Sequence, residues 1–348
     1  MRGLLIFSGL IFFLWLGRSI IVPLMVAAFL WYLINAIGAY YRKVMPPYTC
    51  ALRSTKWACR ISDWGARILA LGTLAVVAYM FITQIQPMFY ELAGALPQIQ
   101  DKLIEFCEYV SGRVGIVFDA SLMPNITEIG TRLGATAAGF ATSIGMVVIY
   151  ILFMFVEQST FNKKFSAMIT NRRQSRKIRY ILDSIDDNMK KYLFMKTMIS
   201  AATGIMSYIW LRAIGLEFAG VWAFIVFIMN YIPTIGSIIA CALPILYALV
   251  VEQTLHTPIL TAAGLICLQI LLGNIIEPRL TGRTLNLSTL AILINLVFWG
   301  MIWGVAGMFF SVPLLVATFV ITAQFDSTRP IAVLLSADGN IPDKRDDE

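Results

Sequence analysis

The sequence feature that most constrains this chain is a run of 34 residues, positions 218–251, without a charged side chain. As one straight helix with a rise of about 1.5 Å per residue, the run would be ~51 Å long, whereas the hydrocarbon core of a bilayer is about 30 Å thick. The run must therefore bend, break or re-enter the membrane. Pro233 and Gly236 mark the expected break, because proline lacks a backbone donor and glycine tolerates dihedral angles that other residues avoid.

The predicted break at 230–237 is a candidate for a solute path. Backbone groups that lose their helical partners are tolerated in hydrocarbon only where protein buries them or where they line a wet cavity. Asn230 lies directly before the break. Its amide either caps the freed backbone groups or faces the solute, and the spacing of the residues does not decide between these roles.

A second interruption is expected at 273–283, where Glu277 is the first acidic residue after Glu252. We predict a turn between two helices that dip into the protein, with Glu277 paired to one nearby arginine while the other is left for an anion or a carbonyl group. The alternative is a solvated polar connection outside the membrane, where an ionised side chain costs little. The candidate residues of this interruption are Asn274, Glu277, Pro278, Arg279, Gly282 and Arg283.

The composition identifies a membrane protein. Hydrophobic residues make up 59% of the 348 residues and charged residues 14%, whereas a soluble domain has about 25% charged residues. We predict an all-α, polytopic integral membrane protein with about eight transmembrane segments and with broken or re-entrant helices in its C-terminal half. The uncharged runs that define these segments are 3–17, 19–41, 68–90, 133–156, 197–211, 218–251, 253–276 and 284–325.

The distribution of basic residues predicts the orientation. Six lysines and arginines lie between positions 42 and 67 and ten between 163 and 196, so both connections should be cytoplasmic. The segment 91–132 has three basic and six acidic residues and should lie outside. With eight crossings both termini are cytoplasmic, and Glu252 with the neighbouring His256, the only histidine, falls at a cytoplasmic end.

Three regions are expected along the chain. Region 1–196 contains an outward helical segment (88–132) and a cytoplasmic amphipathic link (160–196), region 197–325 carries the two breaks, and 326–348 is a cytoplasmic tail. We interpret the link as a helix on the membrane surface, which serves either as a gate or lipid sensor or as a simple lead-in to the fifth segment. The last uncharged run is again too long for one helix and should bend at Gly300, Gly304, Gly307 or Pro313, and Asn295 within it is a candidate to hydrogen-bond a neighbouring helix.

Several function classes have no supporting pattern. The sequence lacks a phosphate-binding Gly-x-x-x-x-Gly-Lys-Ser/Thr loop, a His-Glu-x-x-His pair and a Gly-x-Ser-x-Gly elbow, and its five cysteines are scattered. We therefore predict no cofactor, no metal site and no enzymatic activity. The net charge of +7 belongs to the connections between apolar runs, which does not indicate nucleic-acid binding. A secondary transporter is the main hypothesis, a channel-like pore the second, and a membrane-embedded enzyme of unrecognised type the last.

The motifs of the last third of the chain resemble those of the autoinducer-2 exporter (AI-2E) family of bacterial membrane proteins. They are Asn230-Tyr-Ile-Pro-x-Ile-Gly-Ser237, Gly273-Asn-Ile-Ile-Glu-Pro-Arg-Leu-x-Gly-Arg283, Leu287-Ser288, Phe298-Trp-Gly300, Trp303-Gly304, Gly307-Met308 and Ser311-Val-Pro-Leu314. The first two thirds match this family in layout alone. Two positions depart from its pattern, Thr281 where methionine is usual and Asn286 where glycine is usual.

The resemblance implies a homo-oligomeric, pentameric protein of the bacterial inner membrane that moves a small solute outward. Members of the family are linked to a furanosyl quorum-sensing signal, autoinducer-2, and others to sodium or proton exchange. Export of that signal and cation antiport are thus both implied. By position, the resemblance points to Pro233 and Gly236 in the first break and to Glu277, Pro278, Arg279, Gly282 and Arg283 in the second.

Overall fold

The computed structural model describes residues 2–44, 86–114, 145–158, 172–252, 254–281 and 286–341, with scattered positions between 65 and 84 and positions 128, 160 and 164. Across these residues the structure is helical, and the extended pairing they contain is an isolated bridge between Leu287 and Ser336. The predicted all-α fold class is confirmed.

The helices follow one another in chain order, and several are joined by very short connections. Their bounds are α1 Arg2–Leu16, α2 Arg18–Val44, α3 Gln86–Val114, α4 Gly145–Gln158, α5 Arg172–Ala213, α6 Ala219–Met229, α7 Ile235–Val251, α8 His256–Gln269, a π-helical stretch Ile270–Ile276, α9 Glu277–Thr281, α10 Thr289–Trp303, α11 Val305–Ala323 and α12 Arg329–Leu335.

The chain divides into two compact units that are each discontinuous in sequence. The first comprises Met1–Leu74, Ser143–Lys196 and Pro278–Glu348, and the second comprises Ala75–Thr142 and Thr197–Glu277. Of the four boundaries between these segments, one falls inside α5 and another directly after Glu277. The division of the sequence into regions 1–196, 197–325 and 326–348 remains a prediction.

Three helices within the described part of the chain are long and apolar enough to cross a membrane, by length and composition. They are Arg18–Tyr41, His256–Arg279 and Val305–Ala323. Four shorter apolar helices accompany them, namely α4, α6, α7 and α10. This set of helices is that of a polytopic helical membrane protein.

The long uncharged run 218–251 is broken, as its length requires. Helix α6 is about 16 Å long and α7 about 26 Å, so neither reaches the ~30 Å of the hydrocarbon core. The two helices pack on each other, and the Tyr247 hydroxyl donates to Glu217 Oε2 at 3.0 Å, which joins the start of the run to its end. The run is therefore a helical hairpin, called here the first hairpin, whose two ends lie at one level.

A contact with α3 corrects part of the predicted topology. The Lys102 ammonium group donates to the carbonyl oxygen of Val251 at 3.0 Å. The end of α7 therefore lies beside α3. The prediction that the membrane separates Glu252 and His256 from segment 91–132 is wrong. It counted the run 218–251 as one crossing, whereas the hairpin returns to the side from which it starts.

The last uncharged run also folds back on itself. Helices α10 and α11 meet at Gly304, whose φ of 63° and ψ of −141° suit glycine. Asn295 Nδ2 donates to the Ser311 carbonyl oxygen at 2.6 Å, and Trp299 Nε1 donates to Asn295 Oδ1 at 3.1 Å. A hydrogen bond between Asn295 and a neighbouring helix is thus confirmed, as is the bend at one of the predicted positions. We call α10 and α11 the second hairpin.

The amphipathic link is not a separate surface helix. Its residues 172–196 belong to α5, which continues without interruption to Ala213. Met189, Tyr192 and Leu193 on its apolar face are buried in a cluster with Val312 and Val316 of α11. Protein rather than lipid covers this part of the face. The amphipathic pattern alone could not distinguish a membrane-surface helix from a packed one, because both present one apolar face.

The hairpin topology predicts a labelling pattern. In a cysteine-free background, Glu105→Cys and Thr254→Cys should react with a membrane-impermeant maleimide from one side of the membrane, and Arg279→Cys from the other. The reason is that the first hairpin returns to its own side and the helix from His256 to Arg279 then crosses. All three positions are exposed.

Labelling would be compared in intact and in permeabilised cells. Reaction of positions 254 and 279 from the same side would contradict the hairpin topology. Reaction of positions 105 and 254 from opposite sides would do so as well.

Candidate functional site

The tip of the first hairpin is a tight turn built by residues 230–234. The Ile235 amide donates to the Pro233 carbonyl oxygen at 2.6 Å, and Thr234 has φ 61° and ψ −63°. These angles are those of a γ-turn, a strained form that persists where surrounding structure holds it. Ser237 Oγ donates to the Thr234 carbonyl oxygen at 2.8 Å and thus fixes the first turn of α7.

Uncharged polar side chains from three helices meet at this tip. Asn230 is 5% exposed, and its Nδ2 donates to Ser200 Oγ of α5 at 3.1 Å. Gln269 of α8 donates through Nε2 to Asn230 Oδ1 at 3.3 Å, and the Tyr231 hydroxyl donates to Thr197 Oγ1 at 2.9 Å. We call these five residues the hairpin-tip cluster.

The hairpin-tip cluster lies deep along each helix that builds it. With a rise of 1.5 Å per residue, Ser200 is ~20 Å from the end of α5, Asn230 ~16 Å from the start of α6, and Gln269 ~20 Å from the start of α8. The three helices also pack together nearer those ends, where Trp210 Nε1 of α5 donates to the Leu260 carbonyl oxygen of α8 and Leu211 of α5 shares a buried cluster with Ala219 and Trp222 of α6. The amides and hydroxyls of the tip therefore lie ~16–20 Å along these apolar helices from their ends, and at such a depth in a bilayer polar groups need protein partners.

Sequence reasoning identified Asn230 but missed its partners. Thr197, Ser200, Thr203 and Ser207 recur at intervals of three or four residues and hence line one face of α5. That pattern of hydroxyl groups could have revealed the polar face. The absence of charge, which defines the run 197–211, does not reveal it.

The two arms of the first hairpin approach each other so closely at Gly236 that no side chain fits. A Cβ atom at this position would lie 1.8 Å from the Met229 carbonyl oxygen and 2.9 Å from Ile232 Cβ. Gly236 is buried and Pro233 is half-buried, so both predicted break residues belong to the packed tip. Glycine is needed here for space, since its backbone is helical.

We expect Gly236→Leu to reduce transport at least tenfold, because the side chain would push the arms apart at the hairpin-tip cluster. Overpacking costs about 1–3 kcal/mol, which leaves much of the protein assembled. Gly145→Leu is the matched control, since nothing lies within 4 Å of a Cβ at that membrane-helix glycine. Transport is measured in liposomes and assembly by size-exclusion chromatography.

Equal transport by Gly236→Leu and wild-type protein, with normal assembly, would show that the tip is not part of the path. Gly282→Leu is expected from the sequence to act in the same way. That position lies outside the described residues.

The stretch that was predicted to contain the second interruption is helical as far as Thr281. The chain does not break at Gly273 or Asn274; it widens into a π-helix from Ile270 to Ile276 and stays helical to Thr281. The proline at 278 explains the widening, because it has no amide hydrogen and its ring would clash with a carbonyl one turn earlier in an α-helix. The expected interruption is therefore absent at Asn274, whose side chain is exposed.

The charged residues of this stretch lie at the end of the crossing helix. Glu277 is half-buried, whereas Pro278 and Arg279 are exposed. Gly282 and Arg283 lie outside the described residues. The pairing of Glu277 with one of the two arginines remains a prediction.

Asn286, one of the two departures from the family pattern, adopts a conformation that favours glycine. Its φ is 40°, and asparagine is among the few other residues that tolerate this region. Its Nδ2 also donates to Asp338 Oδ1 at 2.6 Å and to the Asn340 carbonyl oxygen at 2.7 Å. The bond from Asn286, together with those that the backbone and side-chain amides of Asn340 donate, holds the pKa of Asp338 below its usual value. The asparagine thus keeps the backbone geometry of glycine and ties the C-terminal segment to the start of the second hairpin.

We predict that Asn286→Ala lowers the melting temperature more than Asn286→Gly. Both remove the bonds to the C-terminal segment, but alanine adds backbone strain of about 1 kcal/mol at positive φ. Differential scanning fluorimetry of the purified protein measures the order. A melting temperature for Asn286→Ala at or above that of Asn286→Gly would contradict this account.

The comparison with known families decides what kind of protein this is. The family model described as AI-2E family transporter matches residues 4–326. The chain belongs to the AI-2E transporter family. The expectation from the motifs is confirmed, and the protein is a bacterial multi-pass membrane protein with a transport role rather than an enzyme.

Named relatives agree with this assignment over most of their length. The AI-2 transport protein TqsA of Escherichia coli (strain K12) is 32% identical over 283 residues, covering 78% of this chain and 81% of that protein. A Haemophilus influenzae protein whose name marks it provisionally as a transport protein is 29% identical over 295 residues, covering 79% and 82%. The Escherichia coli protein YhhT, with the same kind of provisional name, is 27% identical over 302 residues, covering 86% and 82%.

Proposed function

We propose that this AI-2E transporter exports a small, uncharged, hydroxyl-rich solute, with autoinducer-2 as the candidate. The observation that carries the proposal is the hairpin-tip cluster, which gathers two amides and three hydroxyls deep in the membrane part of the protein. One relative, from Escherichia coli, is named an AI-2 transport protein. Amides and hydroxyls both donate and accept hydrogen bonds, so they can replace the water around a polyhydroxylated molecule.

The hairpin-tip cluster favours an uncharged solute over a cation. All five of its residues are uncharged. The cluster therefore offers a sodium ion no carboxylate to balance its charge, and an unbalanced charge is costly away from bulk water. Sodium or proton antiport remains the alternative implied by the family, with Glu277 as its candidate carrier residue.

The proposed path uses both predicted interruptions. Asn230, Pro233 and Gly236 line its centre at the tip of the first hairpin. The helix from His256 to Arg279 connects this level to the opposite side, where we propose that Asn274, Glu277, Pro278 and Arg279 form one mouth of the path. Gly282 and Arg283, which the sequence also predicts for the path, lie outside the described residues. The widened π-helical turns between Gln269 and Glu277 support this assignment, because such turns recur at functional sites.

The proposed orientation of the path follows from the distribution of basic residues. The basic connections at 42–67 and 163–196 favour cytoplasmic termini. If each of the two long runs forms a hairpin that returns to its starting side, the number of crossings stays even. Both termini then remain cytoplasmic, segment 91–132 and Glu252 face outward, and the mouth at Glu277 faces the cytoplasm. We also propose that the protein is a homo-pentamer, and this part of the proposal rests on the family resemblance alone.

Reconstituted flux tests the proposal. Purified full-length protein is placed in liposomes loaded with synthetic autoinducer-2, and efflux is measured with and without sodium and proton gradients. We expect saturable efflux that Asn230→Ala reduces about tenfold, since the lost amide leaves polar groups of the tip and solute unpaired. Asn35→Ala is the matched control, because Asn35 is also a buried membrane-helix asparagine but donates to the Trp31 carbonyl oxygen in its own helix at 2.9 Å.

The alternatives predict different results. Sodium or proton exchange without autoinducer-2 efflux would replace the proposed function by antiport. Single-channel currents that do not depend on a sodium or proton gradient would indicate a pore. Equal efflux by Asn230→Ala and wild-type protein would remove the tip from the path.

A further inference from the structure

Three buried polar atoms of the second unit have no hydrogen-bond partner among the residues that the structure describes. They are Ser207 Oγ on α5, Trp222 Nε1 on α6 and Thr261 Oγ1 on α8. Ser207 is 1% exposed, Trp222 7% and Thr261 0%. Buried polar groups are nearly always paired, so three unpaired groups on three packed helices require an explanation.

The three groups lie at one depth. By helical rise, Ser207 is ~10 Å from Ser200, Trp222 ~12 Å from Asn230, and Thr261 ~12 Å from Gln269. Each displacement runs from the hairpin-tip cluster toward the ends of the helices at Glu217 and His256. The unpaired groups thus form a second polar level between that cluster and the Lys102–Val251 side of the unit.

The three groups also border the same packed core. Ser207 and Thr261 each lie one helical turn before a member of a buried cluster, Leu211 and Leu265, and Trp222 belongs to that cluster. Trp210 Nε1 donates to the Leu260 carbonyl oxygen at 3.1 Å, which holds α5 against α8 beside Ser207 and Thr261. Gly264 leaves room for this indole, since a Cβ there would lie 1.9 Å from Trp210 Nε1.

A neighbouring threonine shows that these hydroxyls are not simply satisfied by their own helix. Thr203, one turn before Ser207 and 1% exposed, donates through Oγ1 to the Ile199 carbonyl oxygen at 2.8 Å. That arrangement is usual for a hydroxyl inside a helix. Ser207 and Thr261 make no such bond. Within the described part of the chain, their donors and acceptors, like the indole donor of Trp222, have no protein partner.

We propose that Ser207, Trp222 and Thr261 form a second binding station for the exported solute, on the side of the hairpin-tip cluster that faces Glu217. This inference rests on the proposed function. Two hydroxyls that donate or accept and one indole that donates complement the hydroxyl or carbonyl oxygens of a neutral polyhydroxylated molecule.

The test removes each polar atom. Ser207→Ala, Trp222→Phe and Thr261→Val are compared with Thr203→Val, whose hydroxyl is already bound within its own helix. We expect each station variant to raise the KM for efflux of synthetic autoinducer-2 about five- to tenfold. Ser207→Ala and Thr261→Val change the shape little and should keep a melting temperature equal to or above that of wild-type protein, whereas Trp222→Phe also loses buried packing and should lower it. Thr203→Val should leave the KM unchanged, and Thr261→Ser should retain a wild-type KM.

A second measurement does not depend on kinetics. In a cysteine-free background, Thr261→Cys should react with a small methanethiosulfonate reagent, and synthetic autoinducer-2 should slow the reaction at least fivefold. Thr203→Cys should not react. Reaction at 261 that the solute does not slow would indicate resident water alone and would overturn the station.

The two proposals fail in different ways. If Asn230→Ala lowers efflux while the station variants keep a wild-type KM, the station is wrong and the proposed function stands. If wild-type protein moves no autoinducer-2, both fail. If a station variant does not assemble, the labelling of Thr261→Cys decides.

Discussion

The structure depends on one mismatch of length. Its uncharged runs of 34 and 42 residues, each as one straight helix, would be far longer than the ~30 Å thickness of the hydrocarbon core. Each run resolves this mismatch by folding back as a hairpin. The two tips use the same device, a residue at positive φ (Thr234 at 61°, Gly304 at 63°) followed by a glycine packed on a carbonyl oxygen of the first arm. A Cβ at Gly236 or Gly307 would lie 1.8 or 1.9 Å from that oxygen. Close backbone approach is thus the condition for both hairpins.

A hairpin that ends inside the membrane part of a protein needs polar partners, and these partners connect fold to function. Asn295 supplies them in the second hairpin, where it links α10 to α11. In the first hairpin, Asn230 instead reaches α5 and α8. The same residue type therefore has a structural role in one hairpin, whereas in the other it gathers polar groups from three helices. We propose that the solute binds at the latter.

The features that follow from chain length and single residues could be predicted from the sequence. The break at Pro233, the bend at Gly304 and the interhelical bond of Asn295 are examples. Features that depend on contacts between helices could not be predicted from the sequence. An uncharged run has the same composition whether it crosses or returns, so the position of Glu252 required the contact of Lys102 with Val251. The π-helix before Pro278 and the burial of Tyr192 against α11 likewise depend on packing.

The central claim is that the hairpin-tip cluster binds the exported solute. The most direct measurement is a cryo-electron-microscopy map of the full-length protein in lipid nanodiscs with synthetic autoinducer-2, compared with a map without it. The account predicts additional density within hydrogen-bond distance of Asn230, Ser200 and Gln269, which is absent for Asn230→Ala. Density confined to another part of the protein, with the cluster unchanged between the two maps, would contradict it.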